Sequence, residues 1–140
     1  MCSNKILFNL SFLMKHPTGI NIYAYNILPY LEKLSPILIT PQPISPYQSY
    51  LVSSKYALGK GIFGHFNRLV WTQWQLPIIY NQLNANLIFS PLPEAPIASP
   101  CRSVITIHDL IHLRFPKKIS PFFRFYIPQV LKQAEHMICN

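Results

Sequence analysis

The chain predicts an α/β domain: a Rossmann-like parallel sheet with helices on both of its faces. Three observations carry this expectation. Short runs rich in Ile, Val and Leu recur with no polar face, as strands buried on both sides require. They alternate with longer stretches whose apolar residues return every three or four positions. One run, Ser103-Val104-Ile105-Thr106-Ile107, ends at once in the ionisable pair His108-Asp109. Such a strand delivers these side chains to the carboxyl edge of the sheet, where open α/β folds bind ligands.

Taken in order, Lys5 to Leu10 reads as the first strand. Ser11 to Thr18 is a loop, and Thr18 is an expected helix cap with Gly19 as the first helical residue. The helix is expected over about 19–34, burying Ile20, Tyr23, Ile27, Leu28, Leu31 and Leu34, with Pro29 kinking or shortening it. Pro36 to Thr40 is the second strand. Pro41 to Gly61, rich in Pro, Ser, Tyr and Gln, reads as a long surface loop. A second helix is expected over about 63–83, with Phe66, Leu69, Val70, Gln73, Trp74 and Ile78 inward and Pro77 interrupting it. Leu87 to Ser90 is the third strand, and the prolines of Pro91 to Pro96 force an extended loop after it. The fourth strand is Ser103 to Ile107. A loop over Leu110 to Ile119 leads to a helix from Ser120 to Glu135, with Pro121 at its first position. His136 to Cys139 opens a fifth strand.

Half of the 140 residues are hydrophobic and 11% are charged, a low share for a self-sufficient soluble domain. Twelve Lys and Arg against four acids give a net charge of +8, which favours phosphate-bearing partners. The basic residues are scattered, and aromatic and basic residues do not interleave along a strand, so nucleic acid is not an expected partner. No apolar run is long enough for a spanning helix, and the N-terminus reads as a strand rather than a signal peptide. The three cysteines match no metal-ligand spacing, so no metal is expected. A disulfide framework is not expected either, and a reducing cytoplasm fits.

The four acids are Glu32, Glu94, Asp109 and Glu135. Glu32 and Glu135 fall on expected exposed helix faces, and Glu94 in its proline-rich loop reads as solvated. In a doubly-wound order the first and fourth strands are expected as neighbours, so that the loops after them face each other across a crevice. His108, Asp109 and the start of the Gly19 helix would then share one site, and a helix start offers free N–H groups to an anion. A strand-end histidine can equally serve its own loop, and a lone Thr-Gly is common at helix starts. His16, His112 and Arg114 are further ligand-binding candidates, though exposed loop charges are common. Phe122 to Tyr126 reads as helix core, with Phe122, Phe125 and Tyr126 on one face. The second reading of that stretch is an aromatic-basic face resting on a membrane. Trp71 and Trp74 are expected in the core.

Several stretches resemble the amino-terminal domain of a GT-B glycosyltransferase of the retaining, nucleotide-sugar-dependent group, glycosyltransferase family 4. Pro17-Thr18-Gly19-Ile20-Asn21-Ile22-Tyr23 resembles its TGIGRY helix entry, with Asn21 and Ile22 in place of Gly and Arg. Trp71 to Ser90 resembles its helix followed by a strand ending in Ser-Pro. Thr106-Ile107-His108-Asp109-Leu110-Ile111, with Phe115-Pro116, resembles its TIHDL and FP signature. Gln133 to Asn140 resembles its RADRIIAVS strand entry.

The resemblance implies one half of a GT-B architecture, with residues 1–140 as the acceptor-side domain and the donor-binding domain absent. It implies sugar transfer from a nucleotide sugar to a lipid, saccharide or polysaccharide acceptor, with no cofactor, by a chain inactive on its own. Thr18, Gly19 and Asn21 would meet the donor phosphates, and His108 and Asp109 would stand at the reacting centre. A cytoplasmic location is expected, with peripheral contact at the inner membrane face as an extension of it. The alternative is a non-catalytic α/β module that binds anions or a protein partner. With a sheet edge and apolar faces uncovered, low solubility is expected.

Overall fold

The computed structural model describes residues 4–16, 18–58, 61–109 and 121–140, and side chains for all of these except 121–123. Six strands are described: β1 (Ile6–Asn9), β2 (Ile37–Thr40), β3 (Ser49–Leu51), β4 (Leu87–Ser90), β5 (Ser103–Ile107) and β6 (His136–Cys139). Among the described residues the α-helices are α1 (Gly19–Leu31), α2 (Gly61–Gln82) and α3 (Pro121–Gln133). Short 3₁₀ turns occupy Glu32–Leu34 and Ser54–Tyr56. Every strand pair is parallel, in the order β3-β2-β1-β4-β5-β6. The domain is Rossmann-like.

Side-chain alternation along the strands sorts the core into two layers. Phe8, Leu38 and Phe89 pack under Ala24 and Leu28 of α1. Leu7, Ile39 and Ile88 pack under Trp71, Leu76 and Ile79 of α2. On that second face Ile105 and Ile107 meet Tyr126, Ile127 and Val130 of α3. The strands turn polar at their carboxyl ends, where Asn9, Thr40, Ser90 and Thr106 are all buried. The order reverses between β1 and β4, which opens a crevice at that edge.

The structure corrects several expectations. Pro41 to Gly61 is not a plain loop: Ser49–Leu51 forms an edge strand, with Leu38 N donating to Gln48 O (2.8 Å) and Val52 N to Thr40 O (3.0 Å). A three-residue edge strand is held by backbone bonds and shows no apolar period. It also shifts the strand count, so the neighbour of β1 is Leu87–Ser90, and Ser103–Ile107 lies one strand further out. The helix from Gly19 runs through Pro29 to Leu31, and Leu34 is exposed. Likewise α2 continues through Pro77.

The expected inward face of α2 is largely its outward one. Phe66, Val70, Trp74 and Ile78 are exposed, whereas Gly64, Arg68, Trp71, Thr72, Leu76 and Ile79 are buried. Both faces of this helix are apolar, so hydrophobicity alone could not orient it. In α3, Tyr126 is buried but Phe125 is exposed. Edge strand β6 is exposed along its length.

Candidate functional site at the carboxyl edge

A cleft of about 270 Å³ opens at the carboxyl edge, lined by Ile20 of α1, His65 and Arg68 of α2, Leu92 and Glu94 of the β4–β5 loop, His108 and Asp109 after β5, and Tyr126 of α3. Although β5 is not beside β1, one side chain of α1 crosses β4 to reach it. Tyr23 Oη lies 3.3 Å from Thr106 Oγ1, and its ring meets His108 edge-on at 4.7 Å. Ile20 and His108 thereby border the same space.

His108 is held by its surroundings. Its Nε2 lies 2.8 Å from the Pro91 carbonyl, which can only accept, so Nε2 carries the proton. Nδ1 is then the acceptor, and the Asn140 amide donates to it at 3.4 Å. The ring is thereby held in place, edge-on to an aromatic. Asp109 stands beside it, exposed, on the rim of the cleft.

The inner wall centres on a buried ion pair. Arg68 Nε donates to Glu94 Oε2 and Nη2 to Oε1, both at 2.8 Å, a two-pronged match of guanidinium to carboxylate. The arginine is 3% exposed and Glu94 8%, so neither charge is shared with bulk water. Arg68 also donates from Nη1 to Tyr56 O at 3.4 Å and from Nη2 to His65 Nδ1 at 2.9 Å. A guanidinium only donates, so His65 Nδ1 accepts. Burial pushes the His65 pKa down; Glu94 works against this, and Arg68 adds to it.

The β4–β5 loop is fastened along its length. Tyr126 Oη donates to Ala95 O (2.9 Å) and accepts from Ala95 N (3.1 Å). Gln73 donates to Ala95 O (3.0 Å) and accepts from Ile97 N (2.8 Å). Gln133 donates to Ser99 O (2.8 Å). Burial, with the Glu94 carboxylate nearby, drives the Tyr126 phenol well above its ordinary range. The expectation of a solvated Glu94 is therefore overturned: its loop is tied down by α2 and α3.

The remaining predicted residues divide. Thr18 caps α1, its Oγ1 accepting from Asn21 N at 3.5 Å and donating to Asn21 Oδ1 at 3.2 Å. Asn21 turns inward, 1% exposed, and donates to Met14 O at 3.0 Å, so its amide closes the β1–α1 loop. Gly19 is exposed, and a Cβ there would meet nothing within 4 Å. His16, with Lys15, lines a separate hollow of about 590 Å³ that borders the cleft at Leu58. His112 and Arg114 lie outside the described residues.

Tyr23, His65, Arg68, Glu94 and Tyr126 were missed as site residues. The available signal was Arg68, the lone Lys or Arg within Gly61–Gln82, together with the scarcity of acids. Among the described residues no group of three or more His, Cys, Asp or Glu converges to hold a metal. Cys101 and Cys139 are free thiols, and burial pushes that of Cys101 up. Among the described residues no helix is long and apolar enough to cross a membrane.

Compared with known proteins, the chain matches no protein-family model, no curated protein and no solved structure at a significant level. Fold and site together define a Rossmann-like α/β domain with a partly apolar cleft at the carboxyl edge of its sheet.

Proposed function

We propose that this domain is the acceptor-side half of a GT-B glycosyltransferase that uses a nucleotide-sugar donor. One observation carries the reading: Ile20, in the first turn of α1, and His108-Asp109 border one cleft, with Tyr23 bridging the two elements. The stretches around Thr18-Gly19 and Thr106-Asp109 are the ones whose sequences resemble that group.

On this reading the donor diphosphate lies against the start of α1, where N–H groups lack helical partners and Gly19 adds no side-chain bulk. His108 exchanges the Pro91 carbonyl for an oxygen of the transferred sugar. A second domain opposite the cleft grips the nucleotide and completes the polar shell around the developing charge.

The test is a titration of the full chain with nucleotide sugars, following the His108 ring by NMR. Weak, saturable shifts at His108 and Gly19, lost in His108→Ala, are expected. Tight binding by the chain alone, or turnover by it, would overturn the half-enzyme reading. No shift at millimolar ligand would remove the donor contact.

A second reading is a non-catalytic module that binds anions. It is favoured by His108, whose two ring nitrogens are engaged, and by Glu94, whose carboxylate is committed to Arg68. Inorganic phosphate matching nucleotide sugars in the same titration would select it.

A further inference from the structure

Next to the cleft, the hollow of about 590 Å³ lies between the β1–α1 loop, the residues after β2 and the Ser54–Tyr56 turn. Its polar lining is Lys15, His16, Gln42 and Ser54, all exposed. Among the described residues no Asp or Glu lines it, and neither Lys15 nor His16 is in an ion pair. The cleft differs, with Glu94 and Asp109 in its lining. The backbone under the hollow is tied down by buried groups. Asn21, 1% exposed, donates from its side-chain amide to Met14 O at 3.0 Å and so fixes the residue before Lys15. Leu58 N donates to Phe12 O at 2.9 Å, which joins the turn to the loop. Thr40, fully buried at the end of β2, donates to Gln42 O at 2.9 Å. A fixed base therefore carries open polar groups of one charge sign, and such preorganisation lowers the cost of binding.

We infer that this hollow binds the acid group, phosphate or carboxylate, of an anionic saccharide, and that this saccharide is the sugar acceptor. Lys15 supplies a point charge, and His16 and Ser54 supply N–H and O–H donors, the set an acid group takes up. The hollow, at about 590 Å³, is larger than an acid group needs and falls within the range of small-molecule sites. The Gln42 amide can donate to and accept from sugar hydroxyls. Leu58 lines both spaces, so a saccharide held by its acid group passes Leu58 and presents a hydroxyl in the cleft, where His108 stands. The cleft suits the uncharged end, because Arg68 there is committed to Glu94. The acceptor role rests on the sugar-transfer reading; the acid site rests on the hollow alone.

The test is a titration of the full chain with glucose 6-phosphate, glucuronate and glucose, following the His16 and His108 rings by NMR. An acid sugar should shift both rings and bind about tenfold more tightly than glucose, which lacks the charge-assisted contact. The tighter of the two acids names the natural group. Added salt should weaken the acids alone. Lys15→Gln should lose about tenfold in affinity for the acid sugar and nothing for glucose. Lys15 is exposed, so this variant should keep the parent's circular dichroism. Equal affinity for glucose and both acids, or an unchanged Lys15→Gln, would overturn the inference. Inorganic phosphate that binds as tightly as glucose 6-phosphate would reduce the hollow to a bare anion site and overturn it as well. So would a nucleotide sugar that displaces glucose 6-phosphate from His16, because the hollow would then belong to the donor. The two readings fail separately: if nucleotide sugars leave Gly19 and His108 unmoved while glucose 6-phosphate shifts His16, the donor contact falls and the acid site stands.

Discussion

On the inner wall of the cleft Arg68, Glu94 and Tyr126 spend their polar atoms on one another, on His65 and Gln73 and on loop backbone, whereas Asp109 on the rim and Gly19 at the start of α1 are exposed. The wall sets the shape of the site and its side chains cannot be changed cheaply. Gly19, by contrast, could take a side chain without disturbing the fold.

The largest expected effect comes from breaking the wall. Glu94→Ala leaves a buried guanidinium without its counter-charge and should cost about 3–5 kcal/mol of unfolding free energy by urea denaturation. The pair Arg68→Met, Glu94→Leu should cost less than the single change, because no charge is left stranded. An equal loss in the two would show that packing, not charge, holds the wall.

Tyr126→Phe comes next. Removing the hydroxyl strands the buried Ala95 N–H, while Gln73 still serves the Ala95 carbonyl, with an expected cost of about 1–3 kcal/mol. Faster amide exchange at Ala95 and Ile97 would locate that loss in the β4–β5 loop.

A smaller effect follows pH. Burial holds the His65 pKa below its ordinary 6.5, so under mildly acid conditions the unfolded chain binds a proton that the folded chain refuses. This share of stability is complete above pH 6.5 and declines as pH falls from there toward the folded pKa. Urea midpoints measured across this range should fall more steeply in the parent than in His65→Asn, and parallel curves would refute the assignment.

The smallest change is Gly19→Ala. A Cβ there meets nothing, and alanine favours helix, so stability should hold or rise by less than about 1 kcal/mol. Any ligand that lies against the start of α1 should nonetheless bind more weakly. Unchanged affinity for a nucleotide sugar would move the phosphate site elsewhere.

These contrasts also explain what could be read from the chain. Ile6–Asn9, Ile37–Thr40, Leu87–Ser90 and Ser103–Ile107 are buried on both faces, and their unbroken apolar character revealed the sheet. Ser49–Leu51 was hidden because an edge strand of three residues is fixed by its neighbour's backbone. The orientation of α2 was hidden for a different reason. Its buried row contains Arg68 and Thr72, its exposed row contains Phe66 and Trp74, and the ion pair with Glu94 joins residues 26 apart. Long-range pairing leaves no periodic trace. His108-Asp109 was legible as a strand tip, but the partners that hold the ring, Pro91, Asn140 and Tyr23, come from three other places in the chain.

Tyr23 has a mechanical consequence. With its hydroxyl on Thr106 and its ring against His108, it braces α1 against β5 across the intervening strand. A ligand that nudges the first turns of α1 therefore also loads the imidazole, and a ligand that turns the imidazole pulls back on the helix. The two rims of the cleft respond as the two arms of one lever, with the tyrosine ring as its pivot.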